Sequence, residues 1–280
     1  MNQIKLQLFT MVKNEDDIVE YWIQYHGEMF GYNNLYIVDN ESTDGTYEKI
    51  QKYSKYGIHI SRENDYSRKG EIMTELMNDT SSYDIAFPLD IDEFVIYYDK
   101  ETNTVCPEKT LPYLKTLVGS DKFKDNSIFK ANYIYSTITN GNNIGYENAL
   151  LNCNHGQYLD YGHMAKTFIN KHNWEGVMDH GNHFPTENYI PTNICLIHYH
   201  CRNIEQMKKK VKTNVEGLGY PSDNLEFLKE LPKDTPGCHH VRHMIQILKN
   251  TFTINTNFEI TPQHIPLKPF IFYLKKKVKI

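Results

Sequence analysis

The N-terminal third of the chain alternates between short apolar runs and longer segments in which apolar residues recur at helical spacing. The apolar runs predict strands at residues 4–12, 35–38, 57–61 and 84–89. The segments between them predict helices at about residues 15–29, 46–56 and 68–77. Strands that alternate with helices form βαβ units with right-handed crossovers. The pattern therefore predicts an α/β fold with a mostly parallel sheet.

The alternation weakens after about residue 97. Residues 127–139 and 194–200 are apolar runs typical of strands. Residues 203–218 have the spacing of an amphipathic helix, with lysines that lie mostly off its apolar stripe. The polar, histidine-rich stretch 152–193 contains no predicted element.

Composition and charge narrow the class of protein. A chain of 280 residues that is 40% hydrophobic can bury a sizeable core. No internal repeat or low-complexity linker divides it, so we expect a single domain over residues 1–280, with halves at 1–97 and 98–280. The formal net charge of −5 argues against a protein that coats nucleic acid, because that role needs a basic face to neutralise phosphates.

Cysteine usage and the absence of a leader pattern bear on the compartment. The 5 cysteines are irregularly spaced, which favours reduced thiols in a cytosol-like environment. No early segment has the pattern of a signal peptide, and no apolar run approaches the length of a membrane span. We therefore expect a cytoplasmic protein.

Polar clusters follow the predicted N-terminal strands. In open sheets of parallel strands, ligands bind beyond the carboxyl ends of the strands. We expect one rim to collect Lys13-Asn14-Glu15, Asp39-Asn40, Arg62-Glu63 and Asp90-Ile91-Asp92. Arg62, together with Lys69 from the next helix, can meet a phosphate-bearing ligand there or form surface ion pairs.

Two carboxylates, Asp90 and Asp92, stand directly after the apolar run that ends at Leu89. Carboxylate oxygens at a strand end are hard ligands that suit Mg²⁺ or Mn²⁺. Such an ion also binds substrate phosphates and neutralises charge that builds on a departing diphosphate. In the alternative interpretation the two aspartates cap local backbone or pair with basic side chains.

The order of these motifs resembles GT-A glycosyltransferases, in particular the family-2-like group and the related family 92 enzymes. The resemblance rests on Lys13-Asn14-Glu15, on Trp22 to His26, on Asp39 to Thr46, on Leu89 to Phe94 and on His198 to Asn203. It covers residues 4–97 and, more loosely, 160–215. It implies a GT-A fold with a Rossmann-like sheet and an elaborated C-terminal half, in which residues 1–97 bind a nucleotide sugar and 98–280 face the acceptor.

The resemblance also implies chemistry and roles. The reaction is transfer of a sugar, with inversion, from a nucleotide-sugar donor (UDP by resemblance) to a hydroxyl of a glycan, lipid-linked or protein acceptor, with Mn²⁺ or Mg²⁺ as cofactor. The residues implied in donor binding are Lys13, Asn14, Glu15, Asp39 and Asp90, with Arg62 and Lys69 near the diphosphate. Those implied as metal ligands are Asp90, Asp92 and His198, with His200 competing for the place of His198.

An inverting transferase needs a base that takes the proton of the acceptor hydroxyl. The candidates in the polar middle are Glu175, Asp179 and Glu187, and we choose Asp179, which stands beside His180. Lys166 and His180 occupy places that resemble donor- or acceptor-contacting positions of the related group; solvated surface is the alternative for both.

Histidines are concentrated late in the chain, where 11 of the 13 follow residue 150. The segments His198-Tyr199-His200 and Cys238-His239-His240 with His243 invite a zinc interpretation. If the second segment is helical, His239 and His243 share a face. Paired Cys-x-x-Cys spacing is missing, however, so we favour His198 as the partner of the carboxylates.

The C-terminal tail, residues 265–280, mixes aromatic residues with clustered lysines. It can lie on an anionic membrane surface or pack its apolar side on the core, and we favour packing. Two other functions remain open from the sequence. One is a nucleotidyltransferase, although a glycine-rich phosphate loop is missing; the other is a non-catalytic module that binds nucleotide sugars or glycans.

Overall fold

The computed structural model describes residues 4–79, 83–137, 149–153, 155–159, 166–179, 181–183, 188–200, 202, 204–217, 219–235, 237–248 and 264–278. Within these residues the strands are β1 Leu6–Val12, β2 Leu35–Asp39, β3 His59–Arg62, β4 Ile85–Leu89, β5 Glu93–Asp99, β6 Thr104–Val105, β7 Ile128–Thr137, β8 His155–Leu159, β9 Lys166–Asn170, β10 Ile190–His198 and β11 His264–Pro266.

Helices connect the strands of this part of the chain. They are α1 Val19–Phe30, α2 Thr46–Gln51, α3 Lys69–Asp79, α4 Pro107–Val118, α5 Asp121–Lys124, α6 Ala149–Asn152, α7 Ile204–Gly217, α8 Leu225–Lys229, α9 Cys238–Leu248 and α10 Lys268–Lys277. Short 3₁₀ turns lie at Tyr32–Asn34, Ser54–Tyr56 and Tyr66–Arg68. Among the described residues no helix has both the length and the apolar character needed to cross a membrane.

The sheet runs in the order β3-β2-β1-β4-β9-β7-β10-β5-β6, and β8 joins β7 to β11. Strands β3, β2, β1 and β4 are mutually parallel, and β10 is parallel to β7. The pairings of β9, β8 and β5 with their neighbours are antiparallel. The predicted α/β class is confirmed, and the N-terminal half has the expected parallel βαβ construction.

Helix α1 begins four residues later than predicted, at Val19 rather than at Glu15. Residues 15–18 instead form a turn in which the backbone carbonyl of Glu15 accepts from the amides of Ile18 and Val19, at 3.2 and 3.1 Å. The side chains of Glu15, Asp16 and Asp17 are therefore not in the first turn of the helix. They lie before it and are free to face the late part of the chain.

The histidine-rich middle contains strands that the sequence pattern did not predict. All five residues of β9 are buried, including Lys166. The predicted strand at 194–200 begins earlier, at Ile190, and ends at His198. The loop between β7 and α6 and the residues Glu187 and His180 lie outside the described residues.

The main core joins both halves of the chain. Trp22 of α1, Phe94 of β5 and Phe270 of α10 belong to one buried cluster. The tail therefore packs on the core as predicted, with Phe270, Ile271 and Leu274 buried. A separate apolar cluster fixes α7, α8 and α9 to one another, and its members are Met207, Val211, Val215, Leu228, Val241 and Met244.

Candidate active site at the carboxyl edge of the sheet

Two strand ends bring carboxylates and a histidine together. The chain leaves β4 at Leu89, turns through residues 90–92 and enters β5 at Glu93. Strand β10 runs antiparallel to β5 and pairs His198 with Glu93. The backbone carbonyl of Asp92 accepts from the amide of Tyr199 at 2.8 Å, which fixes the turn against the end of β10.

Asp90 is held by basic side chains. Its Oδ1 accepts from Lys69 Nζ at 2.7 Å and from Asn182 Nδ2 at 2.8 Å, and its Oδ2 accepts from Lys166 Nζ at 2.8 Å. Burial raises the pKa of Asp90, but the positive charges of Lys166 and Lys69 outweigh it and lower the pKa below the usual value. Asp90 is therefore a carboxylate at neutral pH, and its side chain stays 31% exposed toward the rim.

Glu93 is the fully buried member of the acidic turn. Its Oε1 accepts from Tyr133 OH at 2.9 Å and lies 3.3 Å from Lys166 Nζ, while its Oε2 accepts from the amide of Asp90 at 2.9 Å. Lys166 thus bridges Asp90 and Glu93 from a buried strand. Glu93 fixes the backbone of the turn and leaves the two aspartates to face the rim.

Asp92 meets the predicted histidine. Its Oδ1 lies 3.3 Å from His198 Nε2, and its Oδ2 accepts from Lys210 Nζ at 2.8 Å. Burial raises the pKa of Asp92, whereas the charge of Lys210 and the contact with His198 lower it well below the usual value. The His198 ring stacks on Tyr133, with centroids 5.1 Å apart, and meets the tilted ring of Tyr135 at 4.8 Å.

Arg202, just beyond β10, ties the N-terminal turn to the rim. The guanidinium is buried; it donates to Asp17 through Nε at 2.8 Å and through Nη2 at 3.0 Å, and it pairs with Glu15. Its Nη1 is 3.7 Å from Asp92 Oδ2. Lys210 Nζ lies 3.7 Å from Glu15 as well as beside Asp92. The predicted donor-binding residue Glu15 is thus engaged by two basic side chains.

The remaining predicted donor-binding residues lie along the ends of β1, β2 and β3. Lys13 Nζ donates to Asn40 Oδ1 at 3.1 Å, and the amide of Asn14 donates to Ser42 Oγ at 3.0 Å. These contacts join the polar segments after β1 and β2. The structure therefore brings Lys13 and Asn14 to the same edge as Asp39.

Asp39 has one engaged and one unengaged oxygen. Its Oδ2 accepts from Arg62 Nε and from the amide of Ser42, both at 3.2 Å. Its Oδ1 is buried and has no hydrogen-bond partner among the described residues. The Arg62 guanidinium carbon lies 4.3 Å from the centroid of the Tyr47 ring, and the Arg62 side chain is 46% exposed. The planar carboxylate of Asp39 and the planar guanidinium of Arg62 therefore lie side by side at this end of the rim.

Asp179, the predicted base, caps its own loop. Its Oδ1 accepts from the amides of Gly181 and His183 at 2.9 and 2.6 Å, and its Oδ2 lies 3.3 Å from His183 Nδ1. Burial raises the pKa of Asp179, but the hydrogen bonds from His183 outweigh it and lower the pKa. Glu175, the alternative base, is exposed.

The loop of Asp179 reaches the rim through its neighbour Asn182, which donates to Asp90. It also closes against the start of α3. A Cβ at Gly70 would lie 2.5 Å from the carbonyl oxygen of Met178, so only glycine permits this approach. The structure thus places the loop beside Lys69 and Asp90.

No protein-family model matches the chain, and no curated protein matches it. Among solved structures the chain is similar to glucosyl-3-phosphoglycerate synthase from Mycobacterium tuberculosis. The complex with Mg²⁺ and uridine diphosphate has 18% identity over 46% of this chain and 44% of that chain, with a TM-score of 0.32. The complex with Mn²⁺, UDP-glucose and phosphoglyceric acid has 16% identity over 60% and 57%, with a TM-score of 0.37.

A further solved structure, described as a mycobacterial protein, has 15% identity over 48% of this chain and 43% of that chain, with a TM-score of 0.33. The chain spans less than two thirds of the length of each of these structures. The function is therefore inferred from the side chains described above.

Proposed function

We propose that the protein is a metal-dependent glycosyltransferase of the GT-A type, which moves a sugar from a nucleotide-sugar donor to a hydroxyl acceptor with inversion. The observation that carries the proposal is the approach of Asp92 Oδ1 to His198 Nε2 at 3.3 Å. These two residues are 106 positions apart in the chain and meet at the edge where α/β sheets bind ligands. UDP is the nucleotide that the sequence resemblance implies.

The donor set at Asp92 fits a divalent ion. Adjacent ligands on an ion with bonds of about 2.1 Å are about 3 Å apart, close to the separation of Asp92 Oδ1 and His198 Nε2. Lys210 occupies the other carboxylate oxygen, so Oδ1 remains directed at the imidazole. His198 Nδ1 is buried without a hydrogen-bond partner among the described residues. A carboxylate beside an imidazole suits Mn²⁺, with Mg²⁺ as the alternative.

An ion bound there would neutralise the charge of the departing diphosphate. The chain's own cations support the same task, because Lys210 is both charged and partly accessible. Burial lowers the pKa of Lys210, but Asp92 and Glu15 outweigh it and raise the pKa above 10.5. We propose that Lys210 contacts the donor phosphates, since its side chain is 19% exposed.

Lys69 and Lys166 have a different part in the proposal. Both side chains are buried and paired with Asp90, so they position that carboxylate rather than contact the donor. Both oxygens of Asp90 are already neutralised by lysines, which favours a ribose hydroxyl over a metal ion as its ligand. Among the roles predicted for Asp90, we therefore propose donor binding.

The nucleoside would lie at the ends of β1 and β2. We propose that Asp39 and Arg62 recognise the base, with Lys13, Asn14 and Glu15 shaping this side of the site. The guanidinium stacked over Tyr47 offers a flat surface, and flat surfaces of this kind bind nucleobases by stacking.

Asp179 remains our candidate for the base that accepts the acceptor's proton. Its ionised state is favoured by the loop amides, and its side chain is 48% exposed beside the rim. A glycan, a lipid-linked sugar or a protein can supply the hydroxyl. Contact of α10 with an anionic membrane also stays a proposal, because Phe272, Lys275 and Lys276 of that helix are exposed.

The proposal is tested by measuring free nucleoside diphosphate released from a panel of nucleotide sugars, with Mn²⁺ and with EDTA. Many transferases hydrolyse their donor slowly, so no acceptor has to be chosen in advance. We expect metal-dependent release from one donor. Pyrophosphate release from a nucleoside triphosphate and a sugar phosphate would instead identify a nucleotidyltransferase. Donor binding without release under all acceptors tried would identify a binding module.

A further inference from the structure

Four imidazoles meet at the end of β10, beside the proposed active site. Helix α9 carries His239, His240 and His243, and β10 is followed by His200. The His200 ring centroid lies 5.7, 4.8 and 5.3 Å from those of His239, His240 and His243. Two ring nitrogens, His200 Nε2 and His240 Nδ1, are 3.1 Å apart.

The adjacent apolar face of α9 explains why these rings point at His200. Val241 and Met244 are buried in the apolar cluster that they share with Met207 and Val211 of α7. Burying Val241 and Met244 against α7 leaves the neighbouring face of the helix to His239, His240 and His243. The histidine face is thus set by packing that the imidazoles themselves do not supply.

We propose that His200, His239 and His240 form a second metal site, specific for a borderline divalent ion such as Zn²⁺ or Co²⁺, with His243 next to it. One ligand nitrogen from each of the three residues lies within 4.8 Å of the others. A tetrahedral ion with Zn–N bonds of about 2.0 Å brings its ligands to about 3.3 Å from one another. The nitrogens of His200 and His240 are already close to that separation, at 3.1 Å. Rotation of the more exposed His239 ring would supply the third ligand.

The chemistry of this site differs from that of Asp92 and His198. Three imidazoles without a carboxylate suit zinc-like ions, whereas carboxylate and phosphate oxygens suit Mg²⁺ and Mn²⁺. Metal ions bind the neutral imidazole.

His200 also lies within reach of the Asp92 and His198 group. Its Nε2 is directed at His240, which assigns the residue to the imidazole site. Lys210 is a positive charge close to both groups, but its contact with Asp92 at 2.8 Å compensates that charge locally. The two sites are therefore neighbours with different ion preferences.

The test is titration of the wild-type protein with Co²⁺ alone, followed through the visible d–d absorption of the bound ion, and then displacement by Zn²⁺. The variants are His239→Ala and His240→Ala, both on a helix held by other residues. His172→Ala is the matched control, because that histidine is exposed and contacts Asp84 at the start of β4. Asp92→Asn separates this site from the one proposed for Mn²⁺.

We expect one Co²⁺ with the strong absorption of a low-symmetry nitrogen site in the wild type, in His172→Ala and in Asp92→Asn. His239→Ala and His240→Ala should each weaken Co²⁺ binding more than 10-fold. Removing a residue that only hydrogen-bonds to a metal ligand already costs roughly 10- to 100-fold in metal affinity, and these variants remove a ligand itself. The proposal is overturned if Co²⁺ does not bind, or if binding is unchanged in His239→Ala and His240→Ala. Loss of the signal in Asp92→Asn alone would assign the ion to the other site.

Discussion

Replacing Asp92 by asparagine is expected to lower metal-dependent release of nucleoside diphosphate by about a thousandfold, equivalent to about 4 kcal/mol of transition-state stabilisation. Asparagine keeps the shape of the side chain but removes the charge that faces His198 Nε2 at 3.3 Å. The measurement is the steady-state rate with the preferred donor at saturating Mn²⁺.

The fold should survive this change, because Glu15 remains 3.7 Å from Lys210 and also pairs with Arg202. Circular dichroism checks that the variant is folded before its rate is compared. Asp121→Asn is the matched control, since that carboxylate lies in α5, is 89% exposed and pairs with Lys124. A variant at Asp92 that is folded and retains more than a tenth of the wild-type rate would contradict the metal assignment.

Replacing Arg202 by methionine is expected to lower the free energy of unfolding by about 3 to 5 kcal/mol, because it leaves the buried carboxylate of Glu15 without its arginine partner. Methionine retains an apolar stem of similar length. The loss is measured by urea denaturation at pH 7. Arg68→Met is the matched control: that side chain is 46% exposed, and its surface pairs with Glu71 and Glu75 should contribute little to stability.

The loss of unfolding free energy caused by Arg202→Met should become smaller at acidic pH. Burial raises the pKa of Asp17, but the charge of Arg202 lowers it below 3.8 in the folded protein. A carboxyl group whose pKa is lowered by folding stabilises the protein fully at a pH above its ordinary pKa. That contribution is lost as the pH falls through the lower pKa of the folded state. Wild type and variant should therefore converge as the pH falls below about 4. A deficit that stays constant from pH 7 to pH 3 would show that packing, rather than charge, is what Arg202 supplies.

The N-terminal half could be predicted from sequence because strands β1, β2 and β4 are largely apolar and buried. Strand β4, IAFPL, is buried at every position, and the polar residues that follow it stand at the carboxyl end by construction. The convergence of Asp39, Asp90 and Asp92 on one edge follows from the parallel topology alone. The position of these aspartates can therefore be predicted from the local sequence pattern, without knowledge of contacts between distant parts of the chain.

The start of α1 could not be predicted in the same way. Acidic residues at 15–17 look like the favourable first turn of a helix. Glu15 and Asp17 pair with Arg202, which lies 187 positions after Glu15, and no residue close to Glu15 in sequence indicates this partner. The energy of a buried ion pair, rather than helix propensity, decides how this turn is used.

The burial of particular lysines could not be predicted either, because a buried lysine and a solvated lysine look the same in the sequence. Lys166 lies in a fully buried strand and serves Asp90 and Glu93. Lys210 follows Met207 by three positions, so it shares the face of α7 that Met207 buries. That spacing is the signal from which its approach to Asp92 could have been found.

The histidines of α9 show a similar limit. Helical spacing predicts that His239 and His243 share a face, but it does not say what the face meets. The position of His200 opposite them depends on the apolar packing of α9 against α7, which joins parts of the chain far apart in sequence.

The proposed metal site is tested most directly by electron spin-echo spectroscopy of Mn²⁺ bound to the protein together with uridine diphosphate. An imidazole nitrogen bonded to Mn²⁺ modulates the echo, so the measurement reports His198 as a ligand without requiring turnover. We expect nitrogen modulation in the wild type, its loss in His198→Ala, and loss of nucleotide-dependent Mn²⁺ binding in Asp92→Asn. Mn²⁺ that binds with uridine diphosphate but gives no nitrogen modulation, or that binds equally well in Asp92→Asn, would contradict the site.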